Sequence, residues 1–146
     1  IKIGVNNIGV ETCSFHVHSV NLNKKIRELN VRPKSNLSLR NIPIEFHSHY
    51  IRGYFDGDGS IYFFTPKRYL TEQVYMEFCS SNKSFLQEIK NILNMNCNSG
   101  GWIEDRDTYS RLTYSGRLQI KRIGKFLYDN STIYLGRKKE RFDRIP

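Results

Sequence analysis

Asp56 and Asp58 alternate with glycines in the run Asp56-Gly57-Asp58-Gly59. Carboxylates held close together bind hard divalent cations such as Mg²⁺ through oxygen. Metals bound in this way activate water and stabilise the leaving oxygen in phosphodiester hydrolysis. A calcium loop of the EF-hand type does not fit: counting from Asp56, position six is Ile61 where that loop needs glycine, and position twelve is Lys67 where it needs glutamate. Out of context, Asp-Gly-Asp-Gly reads as an ordinary turn. Other metal-binding patterns are weak. His16/His18 and His47/His49 are HxH pairs with no third His or Cys nearby, and Cys13, Cys79 and Cys97 form no CxxC pair, so they read as reduced thiols.

The element that must position these acids is a helix. Pro43 suits a helix start, and the glycines mark its end. Gly53 and Gly57 are four apart and fall on one helical face, where their lack of a side chain lets another backbone approach closely. Glycine inside a helix costs about 1 kcal/mol relative to alanine, and tight helix–helix packing is the simplest compensation. Asp58 then lies just past the helix end, where the dipole disfavours a carboxylate and a nearby cation would offset it. If a second such helix packs on the first, two aspartates meet at the bottom of the contact.

The surrounding pattern repeats in order. Ile1 to Ser19 reads as a β-hairpin, with Ile1, Ile3 and Val5 alternating, then Cys13, Phe15 and Val17. Leu22, Ile26 and Leu29 follow at helical spacing, and Pro33 closes that helix. Leu37 and Leu39 alternate within Lys34 to Arg40, which admits a short strand. After the acidic run, strands are expected over Ser60–Thr65 and Gln73–Cys79, joined by a basic turn from Pro66 to Leu70. Ser80 or Ser81 is expected to cap a helix whose stripe is Phe85, Leu86, Ile89, Ile92 and Leu93. Strands near Trp102–Arg106 and Tyr109–Tyr114 precede helices over Arg117–Tyr128 and Ser131–Arg144. Hairpin followed by capped helix thus occurs twice, which predicts a single α+β domain over 1–146: residues 1–42 form the remainder of a first repeat and 43–146 a second. On this reading the first repeat's opening helix lies upstream of Ile1, and the natural N-terminus is missing.

Lys and Arg outnumber Asp and Glu by 23 to 14, a net charge of +9 that favours a polyanionic partner. A membrane is the competing polyanion, but no apolar run approaches the roughly 20 residues of a spanning helix and no signal peptide is visible. The expected location is therefore cytoplasmic, or inside an organelle.

Ile51 through Gly59, in the setting Tyr50-Ile-Arg-Gly-Tyr-Phe-Asp-Gly-Asp-Gly-Ser-Ile61, closely resembles the nine-residue LAGLIDADG motif of homing endonucleases. A strand follows it at once, as in that family, and Ile133-Tyr-Leu-Gly-Arg-Lys138 resembles the segment bearing the family's active-site lysine. The resemblance implies pseudo-twofold αββαββα repeats whose curved antiparallel sheets lie in the DNA major groove. It implies that Gly53 and Gly57 pack the motif helices together and that Asp58 coordinates the catalytic metal, Mg²⁺ or Mn²⁺. Asp56 would help to cap the helix end. Lys138 would polarise water at the scissile phosphate, with Lys34 as its counterpart in the first repeat.

Strand alternation then sorts the sheet faces. Ile61 and Phe63 turn to the core, and Tyr62 and Phe64 turn to DNA. Gln73, Tyr75 and Glu77 oppose the core positions of their strand. Arg106, Arg111 and Thr113 are outward on the later strands, Lys67 and Arg68 at the hairpin tip suit phosphates, and His16 and His18 fall on the equivalent face of the first half. A solvated sheet face is the plainer reading of each.

This sequence departs from the two-motif pattern by carrying one motif. Either the second lies upstream, giving a monomer, or the chain pairs with a copy of itself as a homodimer. The remnant of a first repeat favours the former, and the chain alone is expected to be a poor nuclease. The expected function is a site-specific double-stranded DNA endonuclease with a long target. The alternative is a non-cleaving DNA- or RNA-binding relative, a splicing maturase or regulator.

Overall fold

The computed structural model describes the backbone of residues 2–5 and 11–14, and residues 16–28, 37–67 and 71–146 with their side chains. The chain divides into two compact units, Ile1–Arg32 and Pro33–Pro146.

In the first unit, β1 (Lys2–Val5) pairs antiparallel with β2 (Glu11–Ser14), Ile3 opposite Cys13; the hairpin is present as expected, but it does not extend to Ser19, since residues 16–19 are not strand. Helix α1 (Val20–Glu28) follows, and the Ser19 hydroxyl accepts the Leu22 N–H at its start.

The second unit opens with a 3₁₀ turn, Ile44–Phe46, that runs straight into α2 (His47–Asp58). The order is then β3 (Ser60–Phe64), β4 (Gln73–Ser80), α3 (Lys83–Cys97), β5 (Trp102–Asp105), β6 (Ser110–Ser115), α4 (Arg117–Tyr128) and α5 (Gly136–Asp143). The four strands form one antiparallel sheet in the order β3-β4-β6-β5. β4 shows why one face is covered: Val74, Met76 and Phe78 are fully buried, while Gln73, Tyr75, Glu77 and Cys79 are half-exposed. Ile51 and Phe55 of α2, the whole apolar stripe of α3, and Ile120, Ile123 and Leu127 of α4 close the core over that face. Phe55 sits edge-on to Phe78 and Phe142, with ring centres 5.3 and 5.6 Å away. Gly124 allows this: a Cβ there would come within 2.5 Å of the Phe142 ring, so a side chain would push α5 off α4.

Three expectations are corrected. The cap of α3 is Asn82, whose Oδ1 accepts the Phe85 N–H, while Ser80 turns its hydroxyl to the Asn82 N–H. Residues 37–40 form a turn rather than a strand. Glu88 organises it by accepting the Leu39 N–H at 2.7 Å and the Ser38 hydroxyl, which sets Leu39 into the core. Residues 34–36 lie outside the described residues. The last helix is shorter than Ser131–Arg144, because Asn130 turns left-handed (φ 60°) and the Leu135 N–H goes to the Asp56 side chain.

Candidate metal carboxylate and nucleic-acid interface

α2 is fixed on one side and open on the other. Ile51 and Phe55 face the core. Arg52, 8% exposed, donates to the Leu127 and Ile133 carbonyls and bonds the His49 ring, tying α2 to the end of α4 and the segment after it. Gly53 and Gly57 lie on the opposite, exposed face, and among the described residues no atom comes within 4 Å of a Cβ built at either. Among the described residues nothing packs there to offset the cost of two helix-interior glycines.

Asp58 ends α2 and is exposed. Gly59 follows because nothing larger fits: a Cβ there would stand 2.2 Å from the Phe55 ring and 2.8 Å from the Phe55 carbonyl. The chain can therefore turn into β3 immediately beneath the carboxylate. Asp56 does not cap its own helix. Its two oxygens accept the Tyr128 hydroxyl at 2.6 Å and the Leu135 N–H at 3.0 Å, so it braces α2 against the end of α4 and the start of α5. Burial, and then the Asp56 carboxylate, push the Tyr128 phenol far above its ordinary range, so it stays a hydrogen-bond donor.

Lys138 comes to the same place, 4% exposed. Its ammonium donates to the carbonyls of Phe55 (2.5 Å), Asp56 (2.9 Å) and Gly59 (2.5 Å). A lysine has three N–H donors, and all three are engaged. Its charge complements the negative end of the α2 dipole. Burial, and then neighbouring Arg137, lower its pKa, while Asp56 and Asp58 oppose that shift. A contact from Lys138 to water would require one carbonyl to be released.

Beside Asp58 lies a shallow concavity of about 300 Å³ lined by Tyr54, Cys79, Ser80, Ser81 and Tyr109. Among the described residues no group of three or more His, Cys, Asp or Glu side chains comes together as a metal site. Asp58 presents a single exposed carboxylate there. Mg²⁺ fits this arrangement, since it commonly takes one or two carboxylates and fills its other positions with water and substrate phosphate.

The outer face of the sheet carries most of the expected DNA-facing residues. Tyr62 stacks on Tyr75 across β3 and β4, with ring centres 5.6 Å apart and an interplanar angle of 17°. Phe64 is exposed, Gln73 is half-exposed, and Lys67 is exposed beyond the end of β3. Glu77 accepts the Tyr62 hydroxyl at 2.9 Å and pairs with Arg111 at 3.3 Å. Arg106 lies at the β5–β6 turn, paired with Glu104 at 2.8 Å. Thr113 is a correction. Its register places it on this face, opposite both Glu77 and Trp102, yet it is 3% exposed and its hydroxyl finds no partner among the described residues. Large neighbours on both sides cover it. Arg68 and Lys34 lie outside the described residues. His16 and His18 are exposed and belong to the first unit.

Sequence reasoning missed Arg52 and Glu104. Glu104 and Trp102 share the strand parity that singled out Arg106, so alternation alone would have found them. Arg52 carries no such signal, because its partners are backbone carbonyls distant in sequence.

A helix ending in an exposed aspartate, over an antiparallel sheet with one open face, is the half-unit of a LAGLIDADG fold. The family model described as a LAGLIDADG-like domain matches residues 45–128, and the chain belongs to that family. Solved structures share its fold. The homing endonuclease I-CvuI, in complex with its target in the presence of Ca, is 20% identical, with a TM-score of 0.54 over 68% of this chain and 63% of its own. The I-SmaMI LAGLIDADG homing endonuclease bound to cleaved DNA is 15% identical, with a TM-score of 0.55 over 86% and 42%. The I-LtrWI LAGLIDADG homing endonuclease bound to target DNA is 19% identical, with a TM-score of 0.52 over 86% and 42%. The chain thus spans less than two thirds of the length of these proteins. No curated protein sequence matches it.

Proposed function

We propose that this chain is the metal-binding and DNA-reading half of a site-specific double-stranded DNA endonuclease. The observation that carries this reading is Asp58: an exposed carboxylate at the end of a helix whose glycine face is open, next to a sheet face lined with polar and aromatic side chains. The net charge of +9 supports a polyanionic partner. A Mg²⁺ or Mn²⁺ ion at Asp58 would supply Lewis acidity and an activated water at the scissile phosphate.

The protein's own residues do the rest. Phe55 and Gly59 set the angle at which Asp58 leaves the helix. Lys138 and Asp56 lock that helix end, so the carboxylate costs little reorganisation on binding. Tyr62, Phe64, Gln73, Tyr75, Glu77, Arg106 and Arg111 present base-edge contacts, and Lys67 meets phosphate. Gly53 and Gly57 receive a second motif helix, which brings the second carboxylate. That helix belongs either to a first repeat in the same protein, giving a monomer, or to a second copy, giving a homodimer. The target of such an enzyme is long, and the protein itself would act in the cytoplasm or inside an organelle.

A non-cleaving relative, a maturase or regulator, is favoured to the extent that one chain assembles a single acidic arm and that Lys138 is fully engaged by carbonyls. The two readings are separated by supplying the second motif helix, through an upstream first repeat or a second copy of the chain, and incubating that protein with a randomised double-stranded DNA library and Mg²⁺, beside Asp58→Asn. Selective cutting by the first and not the second establishes the nuclease and the role of Asp58. Sequence-selective retention without cutting leaves the binder.

A further inference from the structure

The outer sheet face holds a polar cluster that simple phosphate attraction does not explain. Arg111 of β6 lies opposite Glu104 on β5 and next to Glu77 across β4. Its Nη2 donates to Glu104 Oε2 at 2.8 Å, and its Nη1 pairs with Glu77 Oε1 at 3.3 Å. Each carboxylate is held from a further side: Glu77 by the Tyr62 hydroxyl, and Glu104 by Trp102 Nε1 at 3.2 Å and Arg106 at 2.8 Å. The Arg111 Nε–H is buried and has no partner among the described residues. The side chain is 27% exposed.

Two carboxylates in the middle of a surface facing DNA would repel its phosphates. They are compatible with the floor of the major groove, where the base edges themselves offer donors such as the N4 amino group of cytosine. A guanidinium has five N–H donors. Nε accounts for one and Glu104 takes one from Nη2, while Nη1 stands in an ion pair 3.3 Å from Glu77, so Nη1 and Nη2 each keep an N–H to offer. That pair matches the O6 and N7 acceptors of guanine, the commonest specific contact an arginine makes in DNA. An arginine fixed between two carboxylates has also given up its rotamer freedom before binding, which removes an ordering cost that a mobile side chain would bear. A single G·C pair supplies both halves of the match: guanine to the fork, and its cytosine to a flanking carboxylate.

We propose that Arg111 is the guanine-reading residue of this half-unit, and that Glu77 and Glu104 are positioning residues that hold its fork toward one G·C pair in the major groove. The assignment rests on the DNA-reading function proposed above.

The test is selection of bound duplexes from a randomised library by the whole chain and by Arg111→Lys, with melting curves confirming that both are folded. Lysine keeps the charge and loses the fork. The wild-type chain is expected to prefer guanine at one position by about tenfold to a hundredfold. Arg111→Lys should lose that preference and keep the others, and Glu77→Gln with Glu104→Gln should weaken it at that position alone. Replacing that guanine by 7-deazaguanine, which lacks the N7 acceptor, should weaken wild-type binding by a similar factor without any change to the protein. A selected sequence whose preferences all survive Arg111→Lys overturns the assignment while leaving the DNA-reading function standing. Unchanged binding to 7-deazaguanine at every selected guanine also overturns it, even where the lysine variant does not fold. No enriched sequence at all removes the proposed function, and this assignment with it.

Discussion

Replacing Lys138 by methionine separates a structural lysine from a chemical one. Methionine keeps the unbranched stem and removes the ammonium that bonds Phe55, Asp56 and Gly59. The Phe55 carbonyl still accepts the Gly59 N–H at 2.8 Å, so the change strands two carbonyls. A net hydrogen bond from a charged donor contributes about 1.5–3 kcal/mol, and stranding a buried acceptor costs about 1–3 kcal/mol. Against this, burial already disfavours the charged form of Lys138, and methionine is relieved of that penalty. Bonds sharing one donor are also not additive, so the expected loss is roughly 2–3 kcal/mol in total. For a protein of this size that lowers the melting temperature by about 10 °C. The assay is thermal unfolding followed by circular dichroism, with Mg²⁺ affinity measured calorimetrically on the folded protein well below the transition. Lys138→Met should melt early. A melting temperature within a degree or two of wild type, combined with lost DNA cleavage, would refute the clamp and return Lys138 to a role at water.

Three further outcomes follow from the geometry. Gly53→Ala should stabilise the isolated chain by about 1 kcal/mol, since alanine is the better helix former and none of the described residues crowds the site, while weakening any helix–helix pairing on that face; a lower melting temperature would mean the face is already occupied. Gly59→Ala should cost about 1–3 kcal/mol in a urea titration, because its Cβ meets the Phe55 ring and carbonyl, and an unchanged midpoint would disprove that contact. Burial, followed by the hydrogen bond to Glu77, pushes the Tyr62 phenol up from 10.0 to about 12. Because the folded value is the higher one, this contribution is fully present below pH 10 and is lost as pH rises from 10 to about 12. Ultraviolet titration of the tyrosines, compared with Tyr62→Phe, reads it directly, and an ordinary phenol titration at that position would disprove the bond.

What the sequence revealed, and what it hid, follows the range of the forces involved. The β4 alternation and the α3 stripe were legible because burial imprints a period of 2 or 3.6 directly on residue type. The acid-ended glycine helix was legible because Ile51 through Gly59 resembles a known family motif, whereas Asp-Gly-Asp-Gly by itself reads as a turn. The cap of α3 was misassigned because serine and asparagine are near-equal candidates at adjacent positions, and backbone angles choose between them. The start of α5 was misplaced because the Leu135 N–H is claimed by a side chain 79 residues away. Parity put Thr113 on the correct face, but parity carries no information about neighbours large enough to cover it. The resemblance brought Lys138 to the right place without showing that its donors are already taken. These are tertiary facts, and local pattern does not encode them.

The brace formed by Asp56, Tyr128, Leu135 and Lys138 has a temporal consequence. Its bonds join residues 72 to 83 positions apart. While the chain is being synthesised, Asp58 emerges long before the segment that steadies the helix end beneath it. The carboxylate therefore takes up its final setting only after residue 138 has left the ribosome and folded back. A nascent chain interrupted earlier holds the motif without the geometry, so whatever Asp58 does must wait until nearly all of this fold has been made.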